Sequence, residues 1–220
     1  EETHRALREA PEADWAFPDW QCFGASPDLW AFPDPLPPPC PQHLVYVGSG
    51  ALVRRRVWEA VGGYTEDRRM SGAEDWDFWL TAFELGLCGV HVARGLYLHR
   101  RSAEAMSATT SLSNDAANRE LLYRRHKSTF DSFDGACPRC PPRRRVLDFR
   151  AMGYVNSSTA ARAQGQRLRS IGLAARAMAI LPSRRTFGQL ARAVLPRAVV
   201  RAAGSARRSL RRSPRPSQVS

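Results

Sequence analysis

Large apolar side chains fall at Trp76, Trp79, Leu80 and Phe83, and Gly86 follows them. This i, i+3, i+4, i+7 stripe predicts an amphipathic helix that opens near Glu74, stops at Gly86 and carries Asp75 off its buried side. A second helix is expected over residues 113–126, capped by Ser113 or Asn114, with Ala117, Leu121, Leu122 and Tyr123 at helical spacing. In a third, Phe187, Leu190, Ala191, Val194 and later Ala198 share a face while Arg192, Arg197 and Arg201 lie elsewhere, with a break or kink near Pro196. Residues 1–10 read as the end of a helix, and residues 55–63 as a short helix closed by glycine. A short apolar run at 43–47 and strand-like alternation at 89–93 and 96–100 predict strands. Residues 14–41 set Trp15, Trp20 and Trp30 among closely spaced prolines. That proline density argues against regular helix or central strand and predicts an ordered loop with aromatic anchors.

Charge divides the 220 residues. Residues 1–138 hold 14 Lys+Arg against 20 Asp+Glu, a balance of −6, whereas residues 139–220 hold 19 arginines against the single Asp148, a balance of +18. The whole net charge of +12 therefore comes from the second part. Expected domains are residues 1–135 and an arginine-rich tail, 136–220, whose last residues, 207–220, are too polar and basic to order. The basic amphipathic helix suits, in descending order, an anionic membrane surface, docking on another domain, or nucleic acid held without specificity. No apolar run approaches the roughly 20 residues that span a bilayer, so a cytoplasmic or peripheral membrane location is expected. Arginine in near-total preference to lysine reads as codon bias.

Five cysteines, Cys22, Cys40, Cys88, Cys137 and Cys140, cannot all pair with one another. Cys137 and Cys140 have zinc-ligand spacing, but a tetrahedral site needs two further ligands and no second such pair exists, so free thiols are expected.

Glu74 and Asp75 are the leading candidates for chemistry. An acidic first turn also complements the helix dipole, which is the plain alternative. Gly48, Ser49 and Gly50 let the backbone come close to a ligand or to a neighbouring element.

The order of motifs resembles the acceptor half of an inverting glycosyltransferase of family 2, the class with the nucleotide-sugar-binding, Rossmann-like GT-A fold. The matching pieces are Gly-Ala-Leu-Val-Arg at 50–54, Val-Gly-Gly-Tyr at 61–64, and Glu-Asp-Trp-Asp-Phe-Trp-Leu at 74–80. Gly86 before a strand, Tyr-Leu-His-Arg at 97–100, and Met106 with Ser107 complete the series. The resemblance runs from about Val45 to His126 and implies a fold of the α/β class.

That resemblance implies Asp75 as general base, because a carboxylate within about 2.6–3.2 Å can take the proton of a sugar hydroxyl as it attacks. It implies Glu74 as an orienting group and Asp77 as a capping or pairing one. Trp76 would stack on the acceptor sugar, with core placement as the alternative for both Trp76 and Trp79. Gly50 and Ser49 would border the substrate, and Arg100 or Arg101 would contact the departing diphosphate, only one of two neighbours facing the site. His99 would complete the sphere of a Mn²⁺ or Mg²⁺ ion at the donor diphosphate, a structural histidine being the alternative. The partners implied are a nucleotide-sugar donor and a sugar or glycan acceptor. Neither the family's first βαβ unit nor its metal-binding Asp-x-Asp motif precedes residue 74, since Asp75-Trp76-Asp77 belongs to the acceptor block. The chain thus reads as a fragment lacking the donor-binding half and inactive alone. The alternative is a non-catalytic polybasic module that binds an anionic membrane surface or another acidic partner.

Overall fold

A computed structural model describes residues 1–32, 50–102, 105, 110–132 and 145–196. The elements are α1 (Glu2–Glu9), β1 (Trp15–Gly24), β2 (Leu29–Trp30), β3 (Leu52–Val53), α2 (Arg55–Val61), α3 (Glu74–Glu84) and β4 (Gly89–Arg101), followed by α4 (Thr110–Arg125), α5 (Lys127–Ser132), α6 (Arg145–Ala163), α7 (Arg167–Ile180) and α8 (Arg184–Val194). A single 3₁₀ turn, Arg68–Met70, precedes α3. The class is mixed α/β.

The segment expected as a loop supplies the central strand. β1 runs parallel to β4 along one edge, from Trp15↔Gly89 to Gly24↔Arg101. Its other edge is shared by β3, antiparallel at Trp15↔Val53 and Ala16↔Leu52, and by β2, antiparallel at Trp20↔Trp30 and Gln21↔Leu29. Pro18 falls in the gap between those two short partners, and the register with β4 shifts immediately after it. A missing N–H costs nothing at such a point, which is how a proline survives in a central strand. The same shift explains why β4 reads as two strands in sequence: Ala93 and Arg94 fall between Val92, opposite Pro18, and Gly95, opposite Asp19. The expected strand at 43–47 lies outside the described residues.

α3 is buried on two sides. Trp76 and Leu80 join Met70, Ala73, Leu122, Phe130 and Phe149 in one cluster. Phe78, Trp79 and Ala82 join Trp15, Phe17 and Val57 in another, which seats the helix on the sheet. The expected stripe is thus only part of the buried surface, and Phe83 is only half-buried. α2 ends at Gly62, whose φ of 83° supplies the left-handed cap expected of glycine there. α4 begins at Thr110, ahead of the expected caps, so Ser113 and Asn114 lie within it. It buries Ala116, Asn118 and Leu122 while Ala117 faces solvent.

The charge boundary near residue 136 is not a packing boundary. Phe149 of α6 is fully buried, with its ring centroid 4.7 Å from Phe130 and 5.3 Å from Trp76. Beyond Val155, α6 carries no large apolar residue, and its buried positions there are Ser157, Ser158, Ala160 and Ala161. At Gly153 a Cβ would stand 2.8 Å from the Asp115 carbonyl oxygen, so α6 and α4 touch nearly backbone to backbone. α7 and α8 close the helical layer through hydroxyl and amide groups. Ser158 Oγ donates to the Ser170 carbonyl at 2.8 Å, and Gln189 Nε2 donates to Ser158 Oγ and Thr159 Oγ1, both at 3.1 Å.

Candidate functional site

The turn before α3 is held by its own acid. The Glu74 carboxylate reaches back to accept the Gly72 N–H at 2.6 Å, and Asn118 Nδ2 on α4 donates to the Ser71 carbonyl at 3.1 Å. Gly72 has a φ of 85°, and a Cβ there would lie 2.5 Å from Ser111 Oγ, so this turn admits only glycine. Glu74 is therefore occupied in orienting the loop. Asp75, next in the first helical turn, is half-buried and accepts the Trp76 N–H at 2.8 Å. Burial is the main cause that holds its carboxyl above the usual carboxylate range; the Trp76 N–H opposes this, and the Glu74 charge adds to it.

Neither acid lines the aromatic cleft of about 220 Å³ that has Tyr64 on its wall and Arg54 and Arg55 at its side. Ala51, Val53, Trp58, Tyr64, Phe78 and Trp79 are among its walls. Tyr64 packs edge-on against Trp58 and Phe78, with both centroids 5.3 Å away. Its phenol is held above its ordinary value by burial first, then by the negative charges of Asp75 and Glu74, which places the cleft within electrostatic reach of both acids. Asp77 points the other way. Its carboxylate accepts His126 Nε2 at 3.0 Å and lies 3.4 Å from Arg125 Nη1, so it fastens α3 to α4. Trp76 is 7% exposed, edge-on to Phe149 and under the Arg119 guanidinium, a core environment between helices.

Gly50 and the late part of β4 meet at Tyr97. A Cβ at Gly50 would stand 2.7 Å from the Tyr97 ring, so the glycine permits close approach to a neighbouring strand. Tyr97, His99 and Arg101 share one sheet face with Trp20 and Trp30. His99 lies 5.0 Å from the Trp20 ring, and the Arg101 guanidinium sits 4.7 Å over Trp30. Arg100 is exposed and alternates to the opposite face, so of the two neighbours it is Arg101 that accompanies His99. Burial, then the Arg101 cation, lower the pKa of His99 and keep its imidazole neutral. Its neighbours are aromatic rings and a guanidinium, and among the described residues no group of three or more His, Cys, Asp or Glu side chains is arranged to hold a metal ion. The described groups do not by themselves fit a Mn²⁺ or Mg²⁺ ion. Ser49, Met106, Ser107, Cys137 and Cys140 lie outside the described residues; Cys22 and Cys88 are free thiols.

Sequence reasoning missed Tyr64 as a wall of the aromatic cleft, and missed Trp58 and Phe78 with it. The signal was present in the Val-Gly-Gly-Tyr turn, since the caps at Gly62 and Gly63 fold the chain back so that Tyr64 meets Trp58. No family model, curated protein or solved structure matches the chain.

Proposed function

We propose that the β3–α4 region is the acceptor half of an inverting GT-A glycosyltransferase of the family-2 type, with Asp75 as general base. The observation that carries this reading is the half-buried Asp75 carboxylate with a raised pKa, set within electrostatic reach of Tyr64 on the wall of an aromatic cleft. A carboxylate made more basic by burial is a better proton acceptor than a solvated one. Aromatic walls suit the apolar faces of a sugar ring.

In the proposed step the acceptor hydroxyl oxygen attacks the anomeric carbon of the nucleotide sugar as Asp75 takes its proton. The new carbon–oxygen bond forms while the bond to the diphosphate breaks, and the diphosphate leaves with the electron pair. A single displacement of this kind inverts the anomeric centre. Glu74 positions the loop through Gly72, and Tyr64 borders the acceptor. Trp76 has no part in this cleft, because its ring is enclosed by Phe149 and Arg119. Arg101 is the better placed of the two arginines for a phosphate on the His99 face.

The test is sugar transfer from a panel of nucleotide sugars, with this chain and with one extended upstream, each as wild type and Asp75→Asn. Transfer that falls about 10²–10⁴-fold on substitution, with inverted product, is the expected result. Transfer indifferent to Asp75, or none from either chain, overturns the reading.

A further inference from the structure

The outer surface of α8 is built differently from its inner one. The residues that face inward are Thr186, Gln189 and Ala193, all buried. Those that face outward include Phe187, 62% exposed, and Val194, 44% exposed, with Ala191 half-buried between them. An i, i+4, i+7 apolar edge in solvent, on a helix that turns the uncharged polar side chains of Thr186 and Gln189 into the protein, reverses the usual arrangement.

That reversal is fixed by specific contacts. Thr186 Oγ1 donates to the Leu181 carbonyl at 2.7 Å, and Ser183 caps the helix by accepting the Thr186 N–H at 3.2 Å. Gln189 is tied to Ser158 and Thr159 of α6. At the other end, Arg162 donates to the Ala193 and Leu195 carbonyls at 3.0 and 2.9 Å, and Arg167 donates to the Val194 carbonyl at 2.7 Å. These arginines satisfy the last carbonyls of α8 and oppose its dipole. Rolling Phe187 inward would break several of these bonds, so the apolar edge is held in solvent.

Charge says what such an edge fits. Arg184, Arg185 and Arg192 are exposed along the other side of the outward surface. No acidic residue follows Asp148 in the sequence, and residues 197–220 add seven more arginines. A short apolar edge beside exposed arginines, with no acidic side chain on α7 or α8, matches an anionic bilayer surface: the apolar side chains enter the headgroup boundary and the guanidinium groups meet lipid phosphates. No described helix is long and apolar enough to cross a membrane, so the mode is attachment in the interface plane.

We infer that the outward face of α8, Phe187, Ala191 and Val194 flanked by Arg184, Arg185 and Arg192, docks on an anionic lipid surface. This goes beyond the glycosyltransferase reading and does not depend on it.

The test is co-sedimentation of the whole chain with phosphatidylcholine vesicles, with and without about one-third phosphatidylserine. Wild type should bind the anionic vesicles, not the neutral ones, and lose binding as salt rises. The Phe187→Ser/Val194→Ser variant, altered only at exposed positions, should bind at least about tenfold more weakly. Replacing Arg184, Arg185 and Arg192 by Gln should weaken binding by about fivefold for each charge removed. As a second readout, Phe187→Trp should shift its fluorescence to the blue with anionic vesicles alone. Retention of binding by the serine variant, or an unshifted tryptophan, would assign attachment to the basic terminus alone and overturn the inference. Failure to bind anionic vesicles, binding that goes instead to RNA, or an apolar edge found covered by a second copy in solution would overturn it equally.

Discussion

The β1–α3 region and the α6–α8 layer solve the same burial problem with opposite materials. The first fills its interior with rings: Trp15, Phe17, Phe78 and Trp79 meet at centroid distances such as 5.1 Å for Trp15 and Trp79 and 4.9 Å for Phe78 and Trp79. The second uses alanine, glycine and serine, brings helix backbones nearly into contact at Gly153, and satisfies buried hydroxyls with one another around Ser158, Ser170 and Gln189. Rings supply burial area that tolerates some misfit. Small residues supply contacts whose value depends on distance alone, so their layer should be the less forgiving of added atoms.

The sharpest way to break the contrast is at the joint. Phe149 belongs to the small-residue helix yet completes the ring cluster of Trp76 and Phe130, and Phe149→Ala should cost about 3–5 kcal/mol in urea unfolding. A loss confined to one transition, with the other untouched, would show that the two regions unfold separately.

His126 tests a different tie, the one between α3 and the end of α4. It lies 3.0 Å from Asp77 through Nε2, and its Nδ1 lies 3.0 Å from Glu84, within ion-pair range. Burial works to lower its pKa, but the hydrogen bonds and charges of Asp77 and Glu84 outweigh that and leave it raised. A raised histidine stabilises the fold fully below its unfolded value of about 6.5, and the contribution is lost as pH climbs through the folded value. His126→Gln should therefore lose about 1.5–3 kcal/mol on the acid side of neutrality, and the gap from wild type should narrow in alkaline denaturation curves. A gap that widens with pH would reverse the assignment.

Gly153→Ala measures close approach directly. On an open helix the change would gain up to about 1 kcal/mol, but here the new Cβ meets Asp115 O at 2.8 Å and Arg119 Cδ at 2.9 Å. The expected result is a loss of about 1–3 kcal/mol in thermal or urea unfolding. A gain would mean the helices have room to part.

The smallest effect has the opposite sign. Because the folded protein holds Asp75 above its usual pKa, its ionised form destabilises at neutral pH, and Asp75→Asn should gain about 0.5–1 kcal/mol there. The gain should vanish in acid, where the wild-type carboxyl is protonated in both states. Loss of transfer together with gain of stability would mark Asp75 as kept for chemistry; loss of both would make it structural.

These contrasts also explain what was legible in the sequence. α3 declared itself through Trp76, Trp79 and Leu80, and α2 through its closing glycine, because large side chains and caps leave strong local signals. The second half of α6 did not, because its buried alanines and serines look the same inside as outside. β1 was hidden by composition: prolines nearby outweighed one strand in which Pro18 is placed where no partner needs its N–H. The positions of Glu74 and Asp75 at the start of α3 were readable, whereas the place of Tyr64 and the opposite sheet faces taken by Arg100 and Arg101 depend on long-range packing and register.

The parallel pairing of β1 with β4 has a consequence for how the chain reaches this state. Asp14 bonds to Cys88 across 74 positions of sequence, so the sheet cannot close until the segment beyond α3 has been made. At about 5–20 residues per second of synthesis, Trp15, Phe17 and the strand that carries them wait several seconds without their partner. Folding of this half is therefore slow and non-local, and the nascent chain passes through a window in which this aromatic strand is open to chaperones and to aggregation.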